Sequence, residues 1–195
     1  MAQTLPSVIA WWARMRPDQP AIALDGDILT YRAYQDWSGR VAAMLLAEGL
    51  QPGERVAICA SNSLAYAALI LGVIRAGGIV SPVNFRYTAR EIADLCATTE
   101  PRFFFAQEDL SGKVRAAGYE PLDMAALESL REGEPVGVPH DPDPDAPVVI
   151  IATSGSTATP KGVVYTNRSM TAYATNWSVE EPSTAPDRAS SPWRP

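Results

Sequence analysis

One loop constrains the fold of this 195-residue chain more than any other feature, because it joins two apolar, β-branched stretches. The first stretch is Val148 to Ile151, and the second is Val163 to Tyr165. Runs of this kind bounded by glycine and proline are typical of buried strands. The sequence between them is rich in serine, threonine and glycine and ends at Lys161. The pattern predicts a strand, a loop that fits a phosphate group, and a second strand.

The loop supplies the groups that bind an anion. Hydroxyls offer hydrogen-bond donors, glycines let backbone N–H groups come close to the ligand, and a lysine adds a fixed positive charge. We expect the backbone at Thr153 and Gly155 to shape the loop. A polyphosphate nucleotide is the ligand that this set of donors favours. The predicted binding residues are Thr153, Ser154, Gly155, Ser156, Thr157, Thr159, Lys161 and Gly162.

The loop is not a Walker loop, which needs glycine, four residues and then Gly-Lys-Ser/Thr. Counted from Gly155, the second glycine position holds Pro160, and Gly162 follows the lysine instead of preceding it. The residues after Lys161 are strand-like, so the sequence argues against phosphate binding at a helix N-terminus.

The segment TSGSTATPKGVVYTNRS, residues 153–169, closely resembles the phosphate loop of AMP-forming, adenylate-forming enzymes. This superfamily includes acyl-CoA synthetases, peptide-synthetase adenylation domains and beetle luciferases. Upstream, LTYRAYQDWSGRVAAML resembles an early family helix, and Gly53 to Cys96 resembles the strand, helix and Ala-Gly-Gly turn that follow it. The resemblance covers roughly residues 4 to 175, and the loop motif is its specific part.

Two departures from the family pattern stand out. The family usually has glycine where this chain has Ala158; we expect the alanine to be tolerated, because it adds only one carbon atom. Family members also continue for several hundred residues and carry there an acidic residue for magnesium, an aspartate for the ribose and the lysine of adenylation. The sequence therefore resembles the N-terminal third of such an enzyme, and we predict no catalytic and no metal-ligating residue in it.

The resemblance implies a two-step reaction. A small carboxylic acid attacks the α-phosphorus of ATP, giving an acyl-adenylate and pyrophosphate, and the thiol of coenzyme A then takes the acyl group. The cofactors it implies are ATP with Mg²⁺, with coenzyme A as the acceptor. The loop would hold the β- and γ-phosphates, which is positioning and electrostatic stabilisation rather than proton transfer.

Three hypotheses follow for this chain. The first is an N-terminal portion of an acyl-CoA synthetase of fatty acid metabolism, with little independent activity. The second is a non-catalytic nucleotide-binding or interaction module that pairs with a partner chain carrying the remaining segments. In the third, the loop is an ordinary hairpin of a plain α/β domain. Pyrophosphate exchange, ATP binding and co-purification of a second chain separate these hypotheses.

Composition limits the partners and the cellular compartment that we expect for this chain. The net charge is −6 and no basic cluster is present, which excludes nucleic acid as a partner. No apolar run is long enough to span a bilayer. Cys59 and Cys96 are the only cysteines, and they fit buried thiols in a reducing cytoplasm. His140 lies among prolines and aspartates, where a solvated loop is expected.

The pattern of elements predicts an α/β fold, a mostly parallel sheet with flanking helices, forming an incomplete N-terminal portion of an adenylate-forming enzyme fold. We expect residues 1–178 to form this domain. Residues 179–195 are rich in proline and serine and predict a loosely ordered tail. The unpaired edge of such a sheet is expected to favour aggregation.

Local signals place the elements. Helices are predicted from Leu5 to Met15, from Tyr31 to Glu48, from Leu64 to Ala76 after a cap at Ser61 or Asn62, and from a capping box at Thr88 to about Thr98. Strands are predicted at residues 21–24, 28–31, 55–60, 79–83, 102–106 and 119–122. Asp123 caps a predicted helix to about Arg131, residues 134–147 form a linker, and Thr166 or Asn167 caps a last helix.

Overall fold

A six-stranded sheet organises the part of the chain that the computed structural model describes, which is residues 4–137, 143–153 and 161–172. The strands, in chain order, are β1 (Pro20–Leu24), β2 (Asp27–Thr30), β3 (Arg55–Cys59), β4 (Ile79–Pro82), β5 (Pro101–Ala106), β6 (Leu122–Asp123), β7 (Pro147–Thr153) and β8 (Lys161–Thr166). The helices are α1 (Leu5–Met15), α2 (Tyr31–Ala47), α3 (Leu64–Arg75), α4 (Ala89–Thr99) and α5 (Glu108–Ala116), with a 3-10 helix at Met124–Leu130.

The sheet is parallel except at one edge. Its strand order is β6-β5-β3-β4-β7-β8, and only the β7–β8 pair is antiparallel, while β1 and β2 form a separate hairpin. The predicted α/β fold with a mostly parallel sheet is confirmed. The strand–helix–strand unit of residues 55–83 also pairs in parallel, as the sequence predicts.

Alternating residues of β3 pack two cores on opposite faces of the sheet. Val56 and Ile58 join the larger core, which α2 and α3 cover. Ala57 and Cys59 join the smaller core, which α4 and α5 cover. Because successive side chains of a strand point to opposite faces, one fully buried strand supports helices on both sides.

The apolar face of α2, on which Tyr34, Trp37, Val41 and Leu45 recur at helical spacing, is a core face. Trp37, Val41 and Leu45 are buried, and the half-buried Tyr34 donates its hydroxyl to the carbonyl of Ala67 at 3.2 Å. Gly49 follows the helix with φ of 89°, a left-handed conformation that glycine adopts without strain. The Tyr34 hydroxyl therefore joins α2 to α3.

Local sequence predicts the N-cap of α4 correctly but not that of α3. The capping box of Thr88 and Glu91 is present as predicted. The cap of α3 is Ser63, so the prediction of Ser61 or Asn62 is wrong. The Ser61 N–H donates to the Gln107 side chain, a contact 46 positions away that no local pattern contains.

The segment after β5 differs most from the prediction. Helix α5 has no counterpart in the predicted elements, because only Val114 of its residues is buried and most of its residues are polar or charged. The predicted strand at residues 119–122 is wrong except at its end, since β6 is Leu122–Asp123. Asp123 caps the next helix as predicted, but the helix has 3-10 geometry and ends at Leu130.

The chain after the 3-10 helix is tied to α2. Trp37 Nε1 donates to the Leu127 carbonyl at 3.0 Å. The Arg40 guanidinium donates to the carbonyls of Leu130, Arg131 and Gly133 at 2.7, 2.5 and 2.9 Å. These bonds fix the path of the chain before it turns towards β7.

None of the helices in the described ranges is long and apolar enough to span a membrane. Both cysteines are buried and free, as expected. His140, the predicted boundary at 178/179 and the tail at 179–195 lie outside the described residues.

Candidate functional site

The predicted phosphate loop connects β7 and β8. These strands pair in the register Thr153↔Lys161 and Ala152↔Gly162, so the two chain ends that enter and leave the loop face each other. Of the predicted binding residues, the backbone of Thr153, Lys161 and Gly162 is described. The other predicted residues, together with Ala158, lie outside the described residues: Ser154, Gly155, Ser156, Thr157 and Thr159.

Packing between β7 and β8 requires a glycine at position 162. A Cβ atom at this position would lie 2.8 Å from Cγ2 of Ile150 on the paired strand. Such an approach is shorter than side-chain contacts allow, so a larger residue would push β8 away from β7 or move Ile150. The glycine therefore keeps the two strands close directly beside Lys161, and its approach to a phosphate stays a prediction.

Strand pairing places the loop at the side of the sheet where the parallel strands have their carboxyl ends. Val149 of β7 pairs in parallel with Val80 of β4, so the carboxyl end of β7 lies on the same side as the carboxyl ends of β3, β4 and β5. Parallel α/β sheets bind ligands at this edge, where successive helices leave on opposite faces. Here α3 follows β3 into the larger core, and α4 follows β4 into the smaller one.

A cleft of about 560 Å³ opens at this edge between the loops after β3 and β4. Ile151 of β7 forms one wall, two residues before Thr153, so the cleft adjoins the start of the predicted phosphate loop. The opposite walls are mostly apolar or amide-bearing, and they come from Ala60, Ser61, Asn62, Tyr66, Pro82, Val83, Asn84, Phe85 and Tyr87. Its volume falls within the range of about 300–1,000 Å³ that is usual for small-molecule sites.

One cation supports the loop after β4. Lys113 of α5 donates its ammonium to the Phe85 carbonyl at 2.7 Å, and the Asn84 side chain accepts from the Arg86 N–H at 2.9 Å. The sequence pattern predicts only a turn and a helix cap at residues 84–88. The contact with Lys113 depends on α5, so this support was missed together with the helix.

The base of the β7–β8 hairpin, which is the end away from the loop, is held by polar contacts. Thr166 pairs with Pro147 and caps the helix that follows, because its hydroxyl accepts from the Ser169 N–H at 3.2 Å. Arg168 pairs with Asp145 at 2.7 Å, and its hydrogen bond lowers the pKa of the Asp145 carboxyl. Asn167 is buried between these groups.

Burial raises the pKa values of Tyr66 in the cleft wall and of the two cysteines. Burial raises the pKa of the Cys59 thiol, and burial together with Cys59 raises the pKa of Tyr66. Burial and the nearby Cys59 also raise the pKa of Cys96 to about 12. Neutral thiols are poor nucleophiles, so these cysteines have a packing role. Across the described ranges, no group of three or more His, Cys, Asp or Glu side chains is arranged to hold a metal ion.

The chain belongs to the family of AMP-binding enzymes, whose model matches residues 9–191. It is 34% identical over 174 residues to the fatty acid–[acyl-carrier-protein] ligase ScoC of Streptomyces coeruleorubidus, covering 86% of this chain and 34% of the relative. It is 32% identical over 190 residues to the sulfoacetate–CoA ligase of Cupriavidus necator, covering 91% and 37%. The chain thus spans about a third of the length of these relatives.

The fold also matches a solved structure. The inhibitor-bound N-terminal domain of FACL13 from Mycobacterium tuberculosis superposes with a TM-score of 0.82 at 22% identity, over 91% of this chain and 48% of that chain. The described architecture is therefore the same fold as that N-terminal domain.

Proposed function

We propose that this chain supplies the triphosphate-holding part of an AMP-forming ligase that activates a carboxylic acid. The observation that carries the proposal is the β7–β8 hairpin, whose hydroxyl-rich loop starts at Thr153 and ends at Lys161 beside the cleft at the carboxyl edge of the sheet. In this proposal the loop hydroxyls donate to the β- and γ-phosphates, and the Lys161 ammonium offsets their charge. Gly162 keeps the backbone close to the ligand.

The relatives support a carboxylic acid as the substrate class. One is named as joining a fatty acid to an acyl carrier protein, and another as joining sulfoacetate to coenzyme A. Their acids and acceptors differ, while activation of a carboxylate is common to both names. We therefore propose carboxylate activation for this chain, with coenzyme A as the acceptor.

Mg²⁺ is proposed to arrive with the phosphates of ATP. Magnesium is usually bound by one or two carboxylates together with substrate phosphates, so a cage of protein ligands is not required. The free, buried thiols of Cys59 and Cys96 are consistent with a reducing compartment, and we place the reaction in the cytoplasm.

The experiment that tests the proposal is a calorimetric titration with MgATP. The expected result is saturable binding by the wild-type chain and an affinity lower by about ten-fold or more for Lys161→Ala, since a charge-assisted contact is lost. The control is Arg115→Ala, which removes an exposed cation on α5, the helix that follows β5, three strands away from β7 in the sheet. Equal affinity of the Lys161 variant and the wild type would contradict the proposal.

A second candidate is a nucleotide-binding module that acts together with a separate chain. It is favoured by exposed apolar side chains on the hairpin, where Ile151, Val163 and Val164 are 41%, 40% and 54% exposed. Carboxylate-dependent exchange of pyrophosphate into ATP by the purified chain alone would argue for complete adenylation chemistry. ATP binding without pyrophosphate exchange would favour the module, provided that exchange appears when a second chain is added.

A further inference from the structure

Asn167 is a buried polar residue whose side chain is bonded at both ends. It is 1% exposed. Its Oδ1 accepts from the Leu5 N–H at 3.4 Å, and its Nδ2 donates to the Asp143 carbonyl at 3.2 Å. Its backbone N–H donates to the Ala146 carbonyl at 3.1 Å. A buried amide with donor and acceptor both used is costly to disturb, because its partners would remain buried without hydrogen bonds.

The three partners of Asn167 belong to segments far apart in sequence. Leu5 is the first residue of α1, so its N–H has no partner within the helix and needs one from outside. Asp143 and Ala146 lie in the turn directly before β7, and Asn167 itself directly follows β8. One side chain therefore joins the N-terminal helix to both ends of the hairpin.

Strand β8 has fewer strand partners than the other strands next to it, so its position depends more on the base of the hairpin. Strand β7 is paired with β4 through Val149, but in the part of the chain that the structure describes β8 is paired with β7 alone. The Arg168 N–H adds one further bond at the base, to the Pro144 carbonyl at 2.8 Å. The position of β8 relative to the sheet is thus set by β7 and by the contacts at residues 143–146 and 166–168.

We propose that Asn167 is a positioning residue for the triphosphate site: by closing the base of the hairpin against α1, it fixes the strand that carries Lys161. This inference rests on the proposed function. Asn167 lies six residues from Lys161 along an extended strand, a distance of about 20 Å, so it acts through β8 and does not touch the phosphates. Coupling of this kind is reciprocal, so a ligand at the loop also stabilises the base.

Asn167→Asp is the sharpest variant. The substitution keeps the shape of the side chain and the acceptor for the Leu5 N–H, but it places an oxygen against the Asp143 carbonyl in place of a donor. The matched control is Ser38→Ala, which removes another fully buried polar contact, to Arg75 between α2 and α3. Both changes lower stability, but only the first loosens the hairpin.

The test measures the dissociation constant of MgATP by calorimetry at a temperature where each variant is folded. We expect Asn167→Asp to weaken binding by about five-fold or more, and Ser38→Ala to lower the thermal midpoint without changing the dissociation constant. If Lys161→Ala weakens binding and Asn167→Asp does not, the positioning role is overturned and the proposed function stands. If neither weakens binding, the proposed function fails.

A second measurement needs no variant. In the wild-type chain, saturating MgATP should slow hydrogen exchange at the amides of Leu5 and Asn167, while amides of β5 on the far side of the sheet stay unchanged. Exchange that slows only at residues near Lys161, and not at the base of the hairpin, would overturn the inference.

Discussion

Gly72 lets α2 and α3 approach each other in the larger core. A Cβ atom there would lie 2.6 Å from Cγ1 and 2.9 Å from Cβ of Val41, and 3.1 Å from the Ser38 carbonyl oxygen. Both neighbours are on the facing helix, and both are fully buried. The contact is between packed groups with no free end to move, so this glycine is required by packing rather than by its backbone conformation.

A matched pair of substitutions tests this reason. Gly72→Ala is expected to lower the free energy of unfolding by about 1–3 kcal/mol through overpacking. Gly112→Ala makes the same change in α5 where nothing lies within 4 Å of the added atom, so it should raise that free energy by about 0.5–1 kcal/mol through helix propensity. Urea unfolding of both variants is the measurement. Equal effects would show that the close approach to Val41 does not limit α3.

Residue-level signals also mark what the sequence could reveal about the site. Lys161 and the hydroxyls before it were predicted to form a phosphate loop from their types and order, and the structure confirms the strands on either side of them. Asn167 was identifiable only as an alternative helix cap, since its bonds to Leu5 and Asp143 join positions 162 and 24 residues away. A buried bridge between distant segments leaves no periodic or local pattern in the chain.

At the scale of elements, local signals predicted the helices and strands well where each signal was complete. The apolar face of α2, the box of Thr88 and Glu91, and the two β-branched stretches each place an element correctly. Helix α5 was missed because its evidence is electrostatic: Glu108 and Asp109 lie in its first turn and Lys113 and Arg115 in its last. Only Leu110 and Val114 of its residues, with Ala117 after its end, pack against the smaller core, so few apolar positions mark the helix.

Within the described part of the chain, one edge of strand β8 has no strand partner, and the strand carries exposed apolar side chains. Val164 is 54% exposed and lies opposite Ile150. Exposed apolar edge strands pair with other chains, and lysine at such an edge prevents this. Val164→Lys is therefore expected to reduce concentration-dependent association, measured by light scattering, while changing the free energy of unfolding by no more than about 0.5 kcal/mol.

The matched control for the edge is Val136→Lys, which makes the same substitution at a residue 39% exposed in the loop after the 3-10 helix. It adds the same charge without changing a strand edge. If both variants reduce association equally, net charge is the cause and the role of the β8 edge is refuted.

At the scale of the whole molecule, two cores share one sheet, and the cleft opens where α3 and α4 leave the sheet towards different cores. The helices after β3 and β4 leave on opposite faces, which opens the cleft between their loops, and β7 brings its own carboxyl end beside that cleft. The fold class and the loop were predictable from the sequence. The neighbours of the loop were not, because strand order is set by long-range pairing.

The composition of the chain offers a direct test of the central claim. Lys161 and Lys113 are its only lysines. Lys113 lies on α5 and donates to the Phe85 carbonyl, so it serves as an internal reference in the same sample. The rate at which an amine-reactive reagent labels each lysine, read by mass spectrometry, reports which of them a ligand covers.

We predict that MgATP and inorganic triphosphate slow the labelling of Lys161 but not of Lys113, and that MgAMP, which lacks the β- and γ-phosphates, slows neither. Labelling of Lys161 that is unaffected by saturating MgATP, or that MgAMP slows equally, would contradict the claim that the loop between β7 and β8 holds the phosphate tail of a nucleotide.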